Sequence, residues 1–225
     1  EIRTNQLKRI MDKESVESEP MTSFYDCLLH AGHQFHLYKN NEDYIIAGYP
    51  WFKCRARDYF LSMPGLTLTV GALQRYEAYM STATKALNDF MDGRPLSVEV
   101  SEMDQPDVLL WACWCIQQYA KDQGITKCYK KYGPLYEKTI EFILEGRHPN
   151  LFLHDNGLLY SNGKDKAVTW MNSTSNGRPV VPRSGYIVEF NALWYNAVCF
   201  WKKMLEENGR EAEAVHLSEL ILKIA

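Results

Sequence analysis

The sequence predicts a mainly α-helical protein, and three observations carry that prediction. Apolar residues recur at helical spacing over several long segments. Gly or Pro closes nearly every one of those segments. Strand-type alternation is confined to short runs, with one small β-hairpin expected at Leu151–Tyr160, around Asp155-Asn156-Gly157.

In chain order, residues 2–18 are polar, with Ile2, Leu7, Ile10 and Met11 on a narrow apolar stripe, and Pro20 breaks the segment. Ser23 is an expected N-cap for a helix over Phe24–Tyr38. His30, His33 and His36 lie on that segment at steps of three, without a carboxylate at ligand spacing, so they read as ordinary helix residues. Asn40–Glu42 is a turn and Tyr44–Ala47 a short strand-like run. A helix over Asp58–Thr69 should kink at Pro64-Gly65 and end near Gly71. A longer one over Leu73–Met91 stops at Asp92-Gly93. Asp107 opens an apolar helix over Val108–Tyr119, where a carboxylate complements the helix dipole. Further helices are expected over Tyr132–Glu145, Asn191–Glu207 and Glu211–Ile224, each ended by a Gly signal except the last.

Between the hairpin and the last two helices lies Thr169–Ala197, rich in Pro and Gly as far as Tyr186. Long loops inside compact domains tend to be functional. This one gathers Trp170, Asn172, Arg183 and Glu189, then Asn191, Trp194 and Tyr195. Flat aromatic faces beside hydrogen-bonding groups suit a sugar, whose ring offers C–H faces and a hydroxyl rim. The alternative is a structural loop that packs its tryptophans into a core.

Composition narrows the function classes. The 225 residues are 46% hydrophobic and 24% charged with a net charge of −3, ordinary for a globular domain and without a basic block for nucleic acid or an anionic membrane. No apolar run spans a bilayer, and no signal-peptide pattern opens the chain. Aromatics reach 13%, which fits either carbohydrate binding or a large helical core. The six cysteines show neither zinc nor thioredoxin spacing and read as reduced, mostly buried thiols of a cytoplasmic protein. No metal or organic cofactor is suggested. Both ends lack terminating signals, so the chain reads as one domain, 1–225, truncated at its C-terminus and preceded by a polar extension over 1–22.

Several motifs resemble the C-terminal glucosidase domain of glycogen debranching enzymes, the amylo-α-1,6-glucosidases. The family's Thr-Trp-Met-Asp corresponds to Thr169-Trp170-Met171-Asn172, its Pro-Arg-x-Gly to Pro182–Gly185, and its Val-Glu-x-Asn-Ala-Leu-Trp-Tyr-Asn-Ala to Val188–Ala197. Ala-Gly-Tyr-Pro-Trp-Phe is kept at Ala47–Phe52, and the Gly-Arg-Asp that follows is kept except that its Gly is Ala56. Asp107 and Trp111 match a Val-Asp-Ala-x-Leu-Trp motif, while the Leu-Ile-Pro-Asn and Tyr-Asn-Ser runs usual before it are missing.

This resemblance implies an (α/α)6 toroid, of which the chain supplies an incomplete part, with the remainder of the same polypeptide as a partner. It implies a branched α-glucan or glucose-containing oligosaccharide as ligand. Trp51, Arg57, Asp58, Trp111, Trp170, Arg183, Asn191 and Trp194 are the implied binding residues. In related enzymes the Arg-Asp pair grips the hydroxyls of the non-reducing glucose, which carries that role to Arg57 and Asp58; a structural ion pair at a helix start is the alternative. The family's inverting mechanism takes its acid from the Asp of Thr-Trp-Met-Asp and its base from a Glu near the end of the domain, expected beyond Ala225. Here the acid position is Asn172, which has no dissociable proton near neutrality. Asp107 or Glu189 would have to replace it, or the chain binds without cleaving. An α-1,6-glucosidase, an α-glucan-binding relative and a helical scaffold with its aromatics in the core are the three readings carried forward.

Overall fold

The computed structural model describes residues 23–225. The stripe over 2–18 and the break at Pro20 lie outside them. Among the described residues seven helices form: α1 Phe24–His33, α2 Ala56–Leu66, α3 Leu73–Met91, α4 Val108–Gln123, α5 Ile125–Leu144, α6 Val188–Glu206 and α7 Glu211–Ile224. Three two-stranded antiparallel hairpins join them: β1 His36–Lys39 with β2 Glu42–Ile45, β3 Phe152–Leu153 with β4 Leu159–Tyr160, and β5 Thr174–Ser175 with β6 Arg178–Pro179. None of the helices is long and apolar enough to cross a membrane.

Ser23 caps α1 as expected, in a reciprocal capping box with Asp26. The helix over Phe24–Tyr38 is corrected: it ends at His33, and the chain turns into the β1–β2 hairpin. Asn40 and Asn41 both take positive φ, 53° and 62°, as a two-residue hairpin turn requires. His36 therefore leaves the helix for β1, where its ring stacks on Tyr79. The helix expected from Tyr132 starts instead at Ile125 and keeps Pro134 inside it. Burial of Cys128, Tyr132, Leu135, Tyr136 and Ile140 outweighs the one hydrogen bond that proline removes. Gly124, at φ 89°, makes the whole connection between α4 and α5. The single expected hairpin at 151–160 is present, and two more accompany it.

The helices alternate in direction. Tyr59 on α2 meets Tyr79 on α3, while Met63 further along α2 touches Cys115, which accepts from Tyr76 earlier on α3. Cys128 of α5 reaches the Ile116 carbonyl of α4 across the one-residue Gly124 turn, so α2/α3 and α4/α5 are antiparallel pairs. Val188 and Ile224 line one cavity, which makes α6/α7 a third. The first helices of the three pairs run parallel. Met63 and Cys115 touch at 3.7 Å from the same depth in α2 and α4, and Gln117 and Asn196 exchange two amide hydrogen bonds from about the same depth in α4 and α6. The N-termini of α2, α4 and α6 therefore share one end of the molecule, where Arg57, Asp107 and Glu189 sit.

One apolar cluster runs through all three pairs, and tyrosine dominates its largest fully buried members, with Tyr59, Tyr76, Tyr79 and Tyr136 among them. Their hydroxyls pair with neighbouring elements: Tyr76 donates to the Cys115 carbonyl and Tyr136 to that of Ala197, while Tyr79 pairs with His36 Nδ1. Most of the aromatic enrichment therefore serves the core. Cys54, Cys113, Cys115 and Cys128 are buried, and no disulfide forms among the described residues. Burial pushes the thiols of Cys113, Cys115 and Cys128 up to about 12, which keeps them protonated and unreactive.

Candidate functional site

Arg57 and Asp107 form the best-defined part. Arg57 is early in α2 and Asp107 directly precedes α4. Arg57 Nε donates to Asp107 Oδ2 at 2.7 Å and Nη2 to Oδ1 at 2.9 Å, a bidentate pair with both residues buried. Trp111, one turn into α4, adds a third donor, its indole N–H reaching Oδ2 at 3.1 Å. Asp107 makes no side-chain cap for α4; its carboxylate is turned wholly to Arg57 and Trp111.

Asp58 is not Arg57's partner. Adjacent helix residues point in different directions, and Asp58 is exposed where Arg57 is buried. The expected Arg57–Asp58 unit is thus an Arg57–Asp107–Trp111 unit, with Asp58 facing solvent.

The second charged pair belongs to the long loop. Both guanidinium nitrogens of Arg183 bind the Glu189 carboxylate in the first turn of α6, Nη2 to Oε2 at 2.9 Å. Burial works to raise the Glu189 pKa, but the hydrogen bonds from Arg183 prevail and hold it below the usual carboxylate range. A general acid needs the opposite shift. Asp107 accepts from three donors, two from Arg57 and one from Trp111. Both carboxylates named as candidate acids are thus held by an arginine.

Upstream of that pair the loop carries its exposed groups. Thr169 is buried and its hydroxyl accepts from the Met171 N–H at 3.2 Å, a tight turn that leaves Trp170 65% exposed. Asn172 follows, exposed, and the β5–β6 hairpin projects beyond it. Trp51, in the loop before α2, is 75% exposed.

Two expected contact residues are corrected. Trp194 is fully buried, donating its indole N–H to the Gly157 carbonyl at 3.2 Å, so it presents no face to a ligand. Asn191 spends its amide on backbone: Oδ1 accepts from Leu159 N–H, and Nδ2 donates to the Leu159 and Ile187 carbonyls. Both hold the β3–β4 hairpin against α6. In sequence they are an aromatic and an amide beside a glycine-rich loop, which is also what a packed hairpin needs.

The two charged units are joined through loops that sequence reasoning missed. Asp104, three residues before Asp107, binds Lys166 at 2.7 Å. Ser161 pairs with Gly185 through two backbone hydrogen bonds, at 3.1 and 2.9 Å. Gly163 lies so close to the Arg183 carbonyl that a Cβ would stand 1.8 Å from its oxygen, so only glycine fits. Cavities of about 510 and 420 Å³ flank α6, but none of Arg57, Asp58, Asp107, Trp170 and Asn172 lines either. Among the described residues no group of three or more His, Cys, Asp or Glu side chains is placed to hold a metal ion.

Fold and site together define the class: a mainly helical domain of antiparallel helix pairs, with ion-paired side chains gathered at the N-terminal ends of alternate helices. The family model for amylo-alpha-1,6-glucosidase matches residues 23–224, and the chain belongs to that family. No curated protein and no solved structure matches the chain.

Proposed function

We propose that this chain recognises branched α-glucans at the shared end of α2, α4 and α6, and that the inverting hydrolysis of α-1,6-linked glucose characteristic of a debranching glucosidase stalls in it at proton donation. One observation carries the reading: Asn172 stands exposed beside the exposed Trp170 at the position of the family's acid. An amide can donate a hydrogen bond to a glycosidic oxygen but cannot protonate it. Loss of general-acid assistance costs roughly 10²–10⁴ in rate. The lowered pKa of Glu189 and the three donors on Asp107 support the same conclusion, since neither carboxylate substitutes.

Trp51 and Trp170 supply flat faces for the C–H surfaces of glucose. Asp58 supplies an exposed carboxylate for vicinal hydroxyls, and the Arg57–Asp107–Trp111 unit ties the start of α4 to α2. The three antiparallel helix pairs read as an arc of an (α/α)6 toroid.

The test is isothermal titration with a branched limit dextrin, together with release of free glucose from it. The expected result is binding without glucose release, and, in a polypeptide that also supplies the general base expected beyond Ala225, a gain of about 10²-fold or more over background in Asn172→Asp. Rapid glucose release by the unaltered chain would overturn the stalled-acid reading, and absence of binding would overturn glucan recognition.

A further inference from the structure

Between the Arg57–Asp107 unit and the Arg183–Glu189 unit stands a residue that no motif marks. Asn150 follows α5, in the segment leading to β3. Its Nδ2 donates to the Asp104 carbonyl at 2.8 Å, in the loop that runs three residues later into Asp107. Its own carbonyl accepts from Ser161 Oγ at 2.8 Å, and Ser161 is the residue paired with Gly185. Its N–H donates to Nδ1 of His148, a ring buried to 1% exposure, so the backbone of Asn150 is fixed from below. One residue thus holds the approach to Asp107 on one side and the approach to Arg183 on the other.

We propose that Asn150 is a positioning residue that sets the two charged units of the candidate site in register, a role that rests on the glucan-binding reading above. The other link across this gap, Lys166 to Asp104, is an ion pair between side chains about half exposed, a kind that contributes little. The amide-to-carbonyl bond of Asn150 is the firmer of the two, because an unmatched partly buried carbonyl loses its water as well as its donor. Asn150 touches none of the exposed groups Trp51, Asp58, Trp170 and Asn172. Its effect on a bound glucan is therefore indirect, through the spacing of Asp107 and Trp111 against Arg183 and Glu189.

Asn150→Asp is the informative substitution. It keeps the size of the side chain but exchanges the N–H donor for an acceptor, set against the Asp104 carbonyl and within 3.4 Å of its carboxylate. The expected result is a tenfold or greater loss of affinity for branched limit dextrin, with a melting midpoint close to that of the unaltered chain and faster amide exchange in residues 161–166 and 183–187. Lys166→Met should weaken binding less than threefold. A double-mutant cycle of Asn150→Ala with Arg183→Met separates positioning from a local packing role: coupled losses in affinity support positioning, and additive losses overturn it. Unchanged affinity in Asn150→Asp also overturns it. If the unaltered chain binds no limit dextrin, the glucan reading fails by itself, and amide exchange then decides the clasp: faster exchange in both loops supports it, unchanged exchange refutes it. Should the Asp variant fail to fold, Asn150→Ala removes the donor without adding charge and carries the same two measurements.

Discussion

The two Arg–carboxylate pairs at this end of the molecule are chemically alike and physically opposite. Arg57 and Asp107 have side chains 9% and 4% exposed; those of Arg183 and Glu189 are 26% and 31% exposed. The first pair has given up its water and depends on bidentate geometry and the Trp111 donor to offset that loss. The second keeps much of its water, and its mutual attraction is correspondingly screened. The difference teaches that an Arg–carboxylate pair can be a fold element on one side of a site and an adjustable one on the other. Removing Arg57 should break the molecule, whereas removing Arg183 should only disturb the loop.

That contrast has its largest expected effect on stability. Arg57→Met leaves Asp107 buried with Trp111 alone and should cost about 3–5 kcal/mol, the range for stripping one partner from a buried pair. For a chain of this size the melting midpoint should fall by roughly 10 °C. Arg183→Met should cost about 1 kcal/mol or less. Thermal unfolding of the two variants side by side checks this, and equal losses would erase the distinction.

Acid probes the buried side from another direction. His148 lies behind Asn150, and burial lowers its pKa from 6.5 to about 4 against the opposing charge of Asp104. His36, stacked on Tyr79 with Arg75 and His33 near it, is lowered to about 3, burial again the main cause. Above pH 6.5 both rings are neutral folded or unfolded, and neither contributes to the pH dependence. Below it the unfolded chain takes up protons that the folded one refuses, so stability falls with pH until the folded pKa values are reached. For His148 the full loss is of order 3 kcal/mol. The urea midpoint should therefore drop steadily from pH 6.5 towards 4, and a flat midpoint across that window would mean the rings accept protons in place. The Arg183–Glu189 pair, its carboxylate held below the usual range, should keep its charge further into acid than an unpaired glutamate.

How far the sequence could be read follows the same division. Helices with a clean apolar period were legible to the residue, as over Leu73–Met91 with its Asp92-Gly93 stop and over Glu211–Ile224 without one. Where local signals were weak the boundary was lost: the helix expected from Tyr132 starts at Ile125, carried by the buried face of α5. The Asn40–Asn41 turn was visible, but not that the strands it joins begin where helical spacing still seemed to run. In the site, residue identity was legible and partnership was not. Arg57 and Asp107 each stood out, yet their pairing spans fifty positions and no local pattern encodes it. Trp194 and Asn191 matched a motif, and in the structure both side chains bind the β3–β4 hairpin. Asn150, Asp104 and Ser161 are ordinary loop residues in sequence and acquire meaning only from what lies opposite them.

The smallest stability effect should belong to the groups most exposed to a ligand. Trp51 and Trp170, 75% and 65% exposed, bury little of their rings in the fold, whereas Trp194 buries all of its own. Trp51→Ala and Trp170→Ala should each change stability by no more than about 0.5 kcal/mol. If the two indoles stack on glucose units, each substitution should still weaken binding of branched limit dextrin by about tenfold, equivalent to about 1.4 kcal/mol. Titration of both variants against the unaltered chain measures this directly. Unchanged affinity in both would remove the exposed half of the comparison from the binding site and leave glucan contact to the groups around Asp58 and Asn172.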